Sequence, residues 1–295
     1  MIPMKTIVIS RAQDQNRRAR IQASIPASID WEFLDASDGH RPNSIGTYYE
    51  KLIPMTFWHN DRIKPGAFGC FVSHYRAWED CLQRNTNVLI LEDDVTFCKS
   101  DSIIKEIPDI NDWDLIFVNR AAVAWNLLYQ AYRGASYCPI TTVRKKIAFK
   151  ISRTRAGRND GEYAAVSELR EVVTSLTGWN ITPDSHDAPG AYGYIVTPAG
   201  ARKLLALSDS LGVVVGVDWF MLGSSMSGTV PSGAWQIPEK VARYFLNSIK
   251  LRAGVSSRWL VDSNDFDIGG SVINHSEMMP IKEYEALLSR PVNSA

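Results

Sequence analysis

The sequence predicts an α/β fold, a sheet whose strands are joined by helical crossovers, and three observations carry that expectation. Short apolar or β-branched runs recur at residues 5–9, 31–34, 88–91, 114–118 and 191–197. Helical periodicity fills stretches between and after them, most clearly at 67–82 and 198–207. The 295 residues are 45% hydrophobic and 22% charged, which makes disorder, collagen and coiled coil poor descriptions and leaves room for a sizeable core.

Taken in order, KTIVI (5–9) reads as a buried parallel strand. The basic segment RAQDQNRRARIQ (11–22) is helix-permissive, WEFL (31–34) is a second strand, and DASDG (35–39) is a turn by composition. Pro65 and Gly66 open a long helix in which Ala67, Phe68, Phe71, Tyr75, Trp78 and Leu82 recur at helical spacing, with Asn85 as its stop. VLIL (88–91) is purely apolar, and 114–118 is a further strand. Residues 120–187 show no clear periodicity, and 141–158 gather seven basic residues with no acidic one. Regular structure resumes with a strand at 191–197 and a helix that Pro198 is well placed to open. Strand, helix, strand, helix, strand is the order of an α/β sheet with crossovers.

Lysine plus arginine total 32 and aspartate plus glutamate total 32. That balance argues against a dedicated nucleic-acid binder. The cysteines (Cys70, Cys81, Cys98, Cys138) form no Cys-x-x-Cys pair and show no zinc-ligand spacing, so they read as reduced, mostly buried thiols of an intracellular protein. The apolar stretch before Ser10 is too short for a signal peptide or a membrane span. The expectation is a soluble, cytoplasmic protein.

The sharpest chemical feature is VLILEDDV (88–95), an apolar strand that runs into Glu92, Asp93 and Asp94. Open α/β sheets bind ligands outside the carboxyl ends of their strands. Three adjacent carboxylates repel one another unless a cation is present. In an extended chain Glu92 and Asp94 would face one way, roughly 7 Å apart, and Asp93 the other. Hard carboxylate oxygens suit Mg²⁺ or Mn²⁺, cations that also bind diphosphates. A solvated acidic turn is the plain alternative, and the apolar run abutting the trio weighs against it.

VLILEDDV, preceded by PGAFGCFVSHYRAW (65–78), resembles glycosyltransferase family 25, the lipopolysaccharide and collagen galactosyltransferase group. The resemblance continues through TIVISRAQDQNRRARI (6–21), DASDG (35–39), DWDLIFV (112–118), AYGYIVTPAGARKLL (191–205) and VDWFM (217–221), in the family's order. It implies a GT-A fold, a Rossmann-like mixed sheet flanked by helices, with an irregular basic insertion. The chain then reads as a single domain over 1–295: a nucleotide-binding half at 1–119, a variable insertion or lid at 120–187, and an acceptor-side half at 188–295.

By the same resemblance, Glu-Asp-Asp serves as the Asp-x-Asp motif of a UDP-sugar enzyme using Mn²⁺ or Mg²⁺. Asp94 is then the principal metal ligand, Glu92 its partner, and Asp93 a ribose contact. Ser10 and Arg11 end the first strand where the nucleotide would lie, and Arg17 or Arg18 would pair with phosphate. Asp38 and Gly39 resemble the family's uracil or ribose turn, and Gly66 and Gly69 allow close backbone approach. Ser73 and His74 match a Ser-His pair, although a helical histidine is equally read as a satisfied core contact. His275 would be a late third metal ligand.

The family is regarded as inverting, which requires a base beside the acceptor hydroxyl. Asp218 matches a family aspartate and interrupts an apolar stretch; its other reading is a helix N-cap. Asp187 is the second candidate. Trp125, Trp179, Trp219 or Trp235 would stack on the acceptor sugar, while Trp31, Trp78 and Trp113 read as core. The opening Ile-Ser-Arg departs from the family's usual Asn or Ser followed by Leu. The basic stretch 144–158 reads as a solvated loop, a mobile lid, or a peripheral contact for anionic membrane.

The implied activity is transfer of a hexose, galactose first, from a UDP-sugar to a saccharide or lipid-linked saccharide acceptor in lipopolysaccharide or related glycan synthesis. Two other classes stay open: a metal-dependent phosphohydrolase, and a non-catalytic nucleotide-sugar or glycan binder.

Overall fold

In the computed structural model the described residues are 4–52, 62–97, 110, 113–118, 169–171, 191–213, 216–218, 220–221, 249, 251–256, 260–263 and 279–289. Strand β1 (Lys5–Ser10) pairs in parallel with both β2 (Trp31–Asp35) and β4 (Val88–Glu92). Residues 6–10 of β1 are buried, as a strand covered on both faces requires. Strand β8 (Gly193–Val196) runs antiparallel between β4 and β6 (Leu115–Phe117). Beyond β6 lie β9 (Ala253–Ser256) and β7 (Leu169–Glu171), giving a seven-stranded mixed sheet in the order β2-β1-β4-β8-β6-β9-β7. This is the mixed, Rossmann-like α/β architecture expected of the chain. Strand β8, from the second half, sits between two strands of the first, so both halves build one sheet. Of the insertion expected at 120–187, only β7 lies among the described residues.

Strand alternation builds two cores. One face of the sheet carries Ile7, Ile9, Val88, Ile90, Leu115, Phe117, Tyr194 and Val196. Against it pack α4 (Pro65–Arg84) and α5 (Pro198–Leu211). The other face carries Val8, Leu89, Leu91, Ile116 and Ile195, covered by Ile21 and Ile25 of α1 (Gln15–Ser24) and its C-cap and by the ribbon β5 (Val95–Phe97) with β10 (Val261–Ser263). A second ribbon pairs β3 (Arg62–Ile63) with β11 (Met279–Pro280) and leads into α6 (Ile281–Leu288).

The long central helix follows its sequence signals. Pro65 stands in its first turn and Asn85 ends it in the left-handed conformation, φ 53°. Thr197 caps α5 by accepting a 3.1 Å hydrogen bond from the Gly200 amide. Helix α1 begins at Gln15 rather than at residue 11. Residues 11–14 form a turn, closed by the Asp14 amide on the Arg11 carbonyl at 3.0 Å and by the Arg11 guanidinium on the Asp14 carboxylate at 2.8 Å. The four-residue helices α2 (Pro42–Ile45) and α3 (Tyr48–Lys51) are too short to register as periodicity. Among the described residues no helix is long and apolar enough to cross a membrane.

Candidate functional site

The carboxyl ends of β1, β2 and β4 are neighbours, with Ile9 opposite Glu92 and Ser10 opposite Asp35. This is the edge at which open α/β sheets bind ligands. Three groups of side chains meet there.

The first is the acidic turn that follows β4. The Ser10 hydroxyl donates to Asp93 Oδ2 at 2.6 Å. The Arg17 guanidinium lies 2.8 Å from Asp93 Oδ1 and 3.2 Å from Asp94 Oδ2, while Arg20 donates to the Asp93 carbonyl at 3.1 Å. Both aspartates are buried. Burial raises the Asp93 carboxyl above its ordinary value, opposed by the Ser10 hydrogen bond and the Arg17 charge and reinforced by Glu92 and Asp14.

The expected alternation therefore does not hold, because the strand stops at Glu92 and the next two residues turn. Asp93 and Asp94 face the same cation, and Glu92 points elsewhere. Arg18 is likewise committed to protein. It donates to the Ser10 carbonyl at 2.8 Å, pairs with Asp35, and lies 4.5 Å over the Phe33 ring, bracing β1 against β2. Neither of the two arginines expected at phosphate is without a protein partner.

The second group is a buried polar chain behind Glu92. Trp78 Nε1 donates to the Tyr194 hydroxyl at 2.9 Å, Tyr194 lies 2.7 Å from His74 Nδ1, and His74 Nε2 lies 3.2 Å from Glu92 Oε1. An indole can only donate, so the Tyr194 oxygen accepts from it and its own proton is free to go to His74 Nδ1. The neutral imidazole then carries its proton on Nε2, toward Glu92. His74 is thus both a satisfied core residue and a contact of the acidic edge. Cys70, one helical turn before His74, completes this group: a ligand atom from each of Cys70, His74 and Glu92 lies within 4.8 Å of the other two. Burial pushes the Cys70 thiol well up, and Glu92, Asp218 and Asp94 push it further.

The third group is the turn after β2. Asp38 Oδ1 accepts from the His40 amide at 3.0 Å, and Asp38 Oδ2 lies 3.5 Å from Arg41 and 3.9 Å from Arg11. The Ser37 amide donates to Ser73 Oγ at 2.8 Å, and Ser73 Oγ donates to the Gly69 carbonyl at 2.8 Å. A Cβ on Gly69 would come within 2.4 Å of the Gly39 nitrogen, so the turn and α4 touch backbone to backbone. Tyr284 of α6 clamps the turn from outside by donating to the Gly39 carbonyl at 2.7 Å. Gly66 lies in the first turn of α4.

Asp218 lies within the first helical residues after Gly216, whose carbonyl accepts from the Phe220 amide at 2.9 Å; it is a first-turn residue rather than the cap. Its charge acts on the Cys70 thiol, as do those of Glu92 and Asp94. Asp187, His275, Trp125, Trp179, Trp219, Trp235 and the basic stretch 144–158 lie outside the described residues. Sequence reasoning missed Arg20, Tyr194 and Tyr284. It also missed Cys70 beside His74, although their i, i+4 spacing on a periodic helix was legible.

The donor chemistry fits a hard divalent cation. Asp93 and Asp94 face Arg17, with Arg20 on the Asp93 carbonyl, and Glu92 adds a third carboxylate close by, so the edge is rich in hard oxygen donors.

A mixed α/β sheet flanked by helices, with carboxylates at its carboxyl edge and a close-packed glycine turn beside them, is a Rossmann-like fold of the glycosyltransferase kind. The sequence profile of glycosyltransferase family 25, described as an LPS biosynthesis protein, matches residues 4–221, and the chain belongs to that family. It is 29% identical over 224 residues to the mouse protein named inactive glycosyltransferase 25 family member 3, covering 74% of this chain and 31% of that relative. The cattle protein, named probable inactive glycosyltransferase 25 family member 3, is 31% identical over the same shares. Procollagen galactosyltransferase 1-B of Xenopus laevis is 24% identical, over 74% of this chain and 30% of its own length. The chain spans about a third of the length of these curated relatives.

Proposed function

We propose that this chain is a metal-dependent, inverting glycosyltransferase that moves a hexose, galactose first, from a UDP-sugar to a saccharide acceptor in lipopolysaccharide or related glycan synthesis. The observation that carries the reading is the acidic turn at the end of β4, wired to the end of β1 through Ser10 and to α1 through Arg17. Family membership and the galactosyltransferase relatives support it.

Asp94, with Asp93 beside it, would hold Mn²⁺ or Mg²⁺, which when bound would neutralise the charge gathering on the departing diphosphate; Glu92, expected as the partner of Asp94, turns to His74 instead. Arg17, which pairs with these carboxylates here, would meet phosphate oxygens if a cation took its place. The Asp38–Gly39 turn, pinned by Gly69, Ser73 and Tyr284, offers a rigid backbone edge for the nucleoside. Asp218 takes the proton from the acceptor hydroxyl as it attacks. Asp187 is the reserve base and His275 a further metal ligand. The basic segment 144–158 would meet an anionic acceptor or an anionic membrane face, which fits action at the cytoplasmic side of a membrane.

A second reading, a nucleotide-sugar or glycan binder without turnover, is favoured by two observations. Relatives carry the word inactive in their names, and Arg17 already occupies the carboxylates a metal would need. Thermal stabilisation by a panel of UDP-hexoses with and without Mn²⁺ tests the donor site common to both readings. A donor at about 100 times its dissociation constant should add about 2.7 kcal/mol, only with the cation present. No stabilisation by any UDP-sugar would remove both readings.

A further inference from the structure

The structure divides a trio that the sequence presents as one. Asp93 and Asp94 turn to Arg17, whereas Glu92 turns to His74 on α4. Around Glu92 the donor chemistry changes from all-oxygen to sulfur, nitrogen and oxygen. Cys70 and His74 stand one helical turn apart on a helix whose neighbouring residues are fixed in the core, so their side chains share a face. With Glu92 they place three ligand atoms within 4.8 Å of one another.

We propose that Cys70, His74 and Glu92 form a second cation site that takes Zn²⁺ or a metal of similar softness, separate from the hard-cation edge at Asp93 and Asp94. Three features besides proximity support this. Thiolate, imidazole and carboxylate together are a zinc donor set, and three protein ligands leave the fourth position open. Among the described residues, the carboxylates Glu92, Asp218 and Asp94 act on Cys70 and would each attract a cation there. The outer shell is already built: Tyr194 is fully buried 2.7 Å from His74 Nδ1 and is itself fixed by the Trp78 indole. On binding, the Cys70 thiol releases its proton to solvent. To free Nε2 for the metal, the imidazole proton would move from Nε2 to Nδ1, which then donates to the Tyr194 oxygen as that hydroxyl rotates. Occupancy would fix Glu92 against α4, away from Asp94. The proposal does not depend on the transferase reading, because it concerns binding alone.

The test uses the full chain, stripped of metal and titrated with Co²⁺ as a spectroscopic substitute for Zn²⁺. One equivalent should give a thiolate-to-cobalt charge-transfer band in the near ultraviolet, bleached by added Zn²⁺. Cys70→Ser should abolish the band while circular dichroism stays unchanged. Tyr194→Phe should weaken affinity roughly 10- to 100-fold, as loss of an outer-shell partner does. Asp94→Asn should leave the band intact. Absence of the band in the wild-type chain, or its survival in folded Cys70→Ser, would overturn the proposal. Loss of the band in Asp94→Asn would also overturn it, by showing a single shared site.

Discussion

Ser10 and Asp93, 83 residues apart in sequence, are joined by a 2.6 Å hydrogen bond in which the hydroxyl donates to the carboxylate. The bond ties the last residue of one parallel strand to the turn that ends its neighbour. Among the described residues it is one of two side-chain donors that hold the Asp93 carboxylate, the other being Arg17. A hydrogen bond to a charged, buried acceptor contributes about 2 kcal/mol. Ser10→Ala should therefore lower unfolding stability by about 2 kcal/mol at neutral pH, read from urea melts. A change within error of zero would mean that the bond does not fix the turn.

Arg17 is the guanidinium paired with both Asp93 and Asp94, and removing it leaves these two buried carboxylates without that partner. Breaking one side of a buried pair costs about 3 kcal/mol or more. Arg17→Met should lose that much stability without added metal. Mn²⁺ should then raise the melting temperature of the variant more than that of the wild type, since the cation takes the place of the guanidinium. Equal Mn²⁺ responses would show that the carboxylates do not accept the ion.

The pH dependence follows from Asp93, whose carboxyl burial holds above the ordinary value of 3.8. Between 3.8 and the raised value the folded chain binds more protons than the unfolded one. The contribution of this group is therefore fully present below 3.8 and is lost as pH rises through the folded-state value. Asp93→Asn removes that slope. Stability of the variant relative to wild type should improve as pH rises from the acid range toward neutrality, measured as paired urea midpoints. A flat or falling difference would contradict the raised value.

The Asp38–Gly39 turn is seated on α4 because Gly69 has no side chain. An added Cβ would lie 2.4 Å from the Gly39 nitrogen and 2.5 Å from the Ser37 carbonyl oxygen, and backbone atoms cannot rotate aside. Gly69→Ala should cost about 2 kcal/mol by overpacking and weaken UDP-sugar binding more than the stability loss alone accounts for. Calorimetric titration of the variant below its melting temperature checks this; unchanged affinity would remove the turn from the site.

The sheet strands and the long helix were legible because their signals are local: β-branched runs, helical spacing, Pro65 at the start and Asn85 at the stop. The antiparallel sense of β8 was not, since strand direction depends on a connection whose sequence shows no period. The acidic edge was legible as composition but not as geometry. Alternation assumes extended backbone, and the chain turns at Asp93, so the carboxylates that pair are Asp93 and Asp94. Arg18 and Arg17 are adjacent and chemically alike, yet one braces β1 against β2 while the other meets the acidic turn. Only the pitch of α1 separates them. Spacing among the cysteines does not single out Cys70, because its neighbour is His74, one turn further along the same helix.

The most direct test of the central claim is UDP release from a panel of UDP-hexoses in the presence of Mn²⁺, with and without a saccharide acceptor, compared between wild type and Asp94→Asn. The account predicts release that the acceptor stimulates and that falls at least about 100-fold in Asp94→Asn. Donor binding without release, release indifferent to acceptor, or an Asp94→Asn variant as active as the wild type would contradict it.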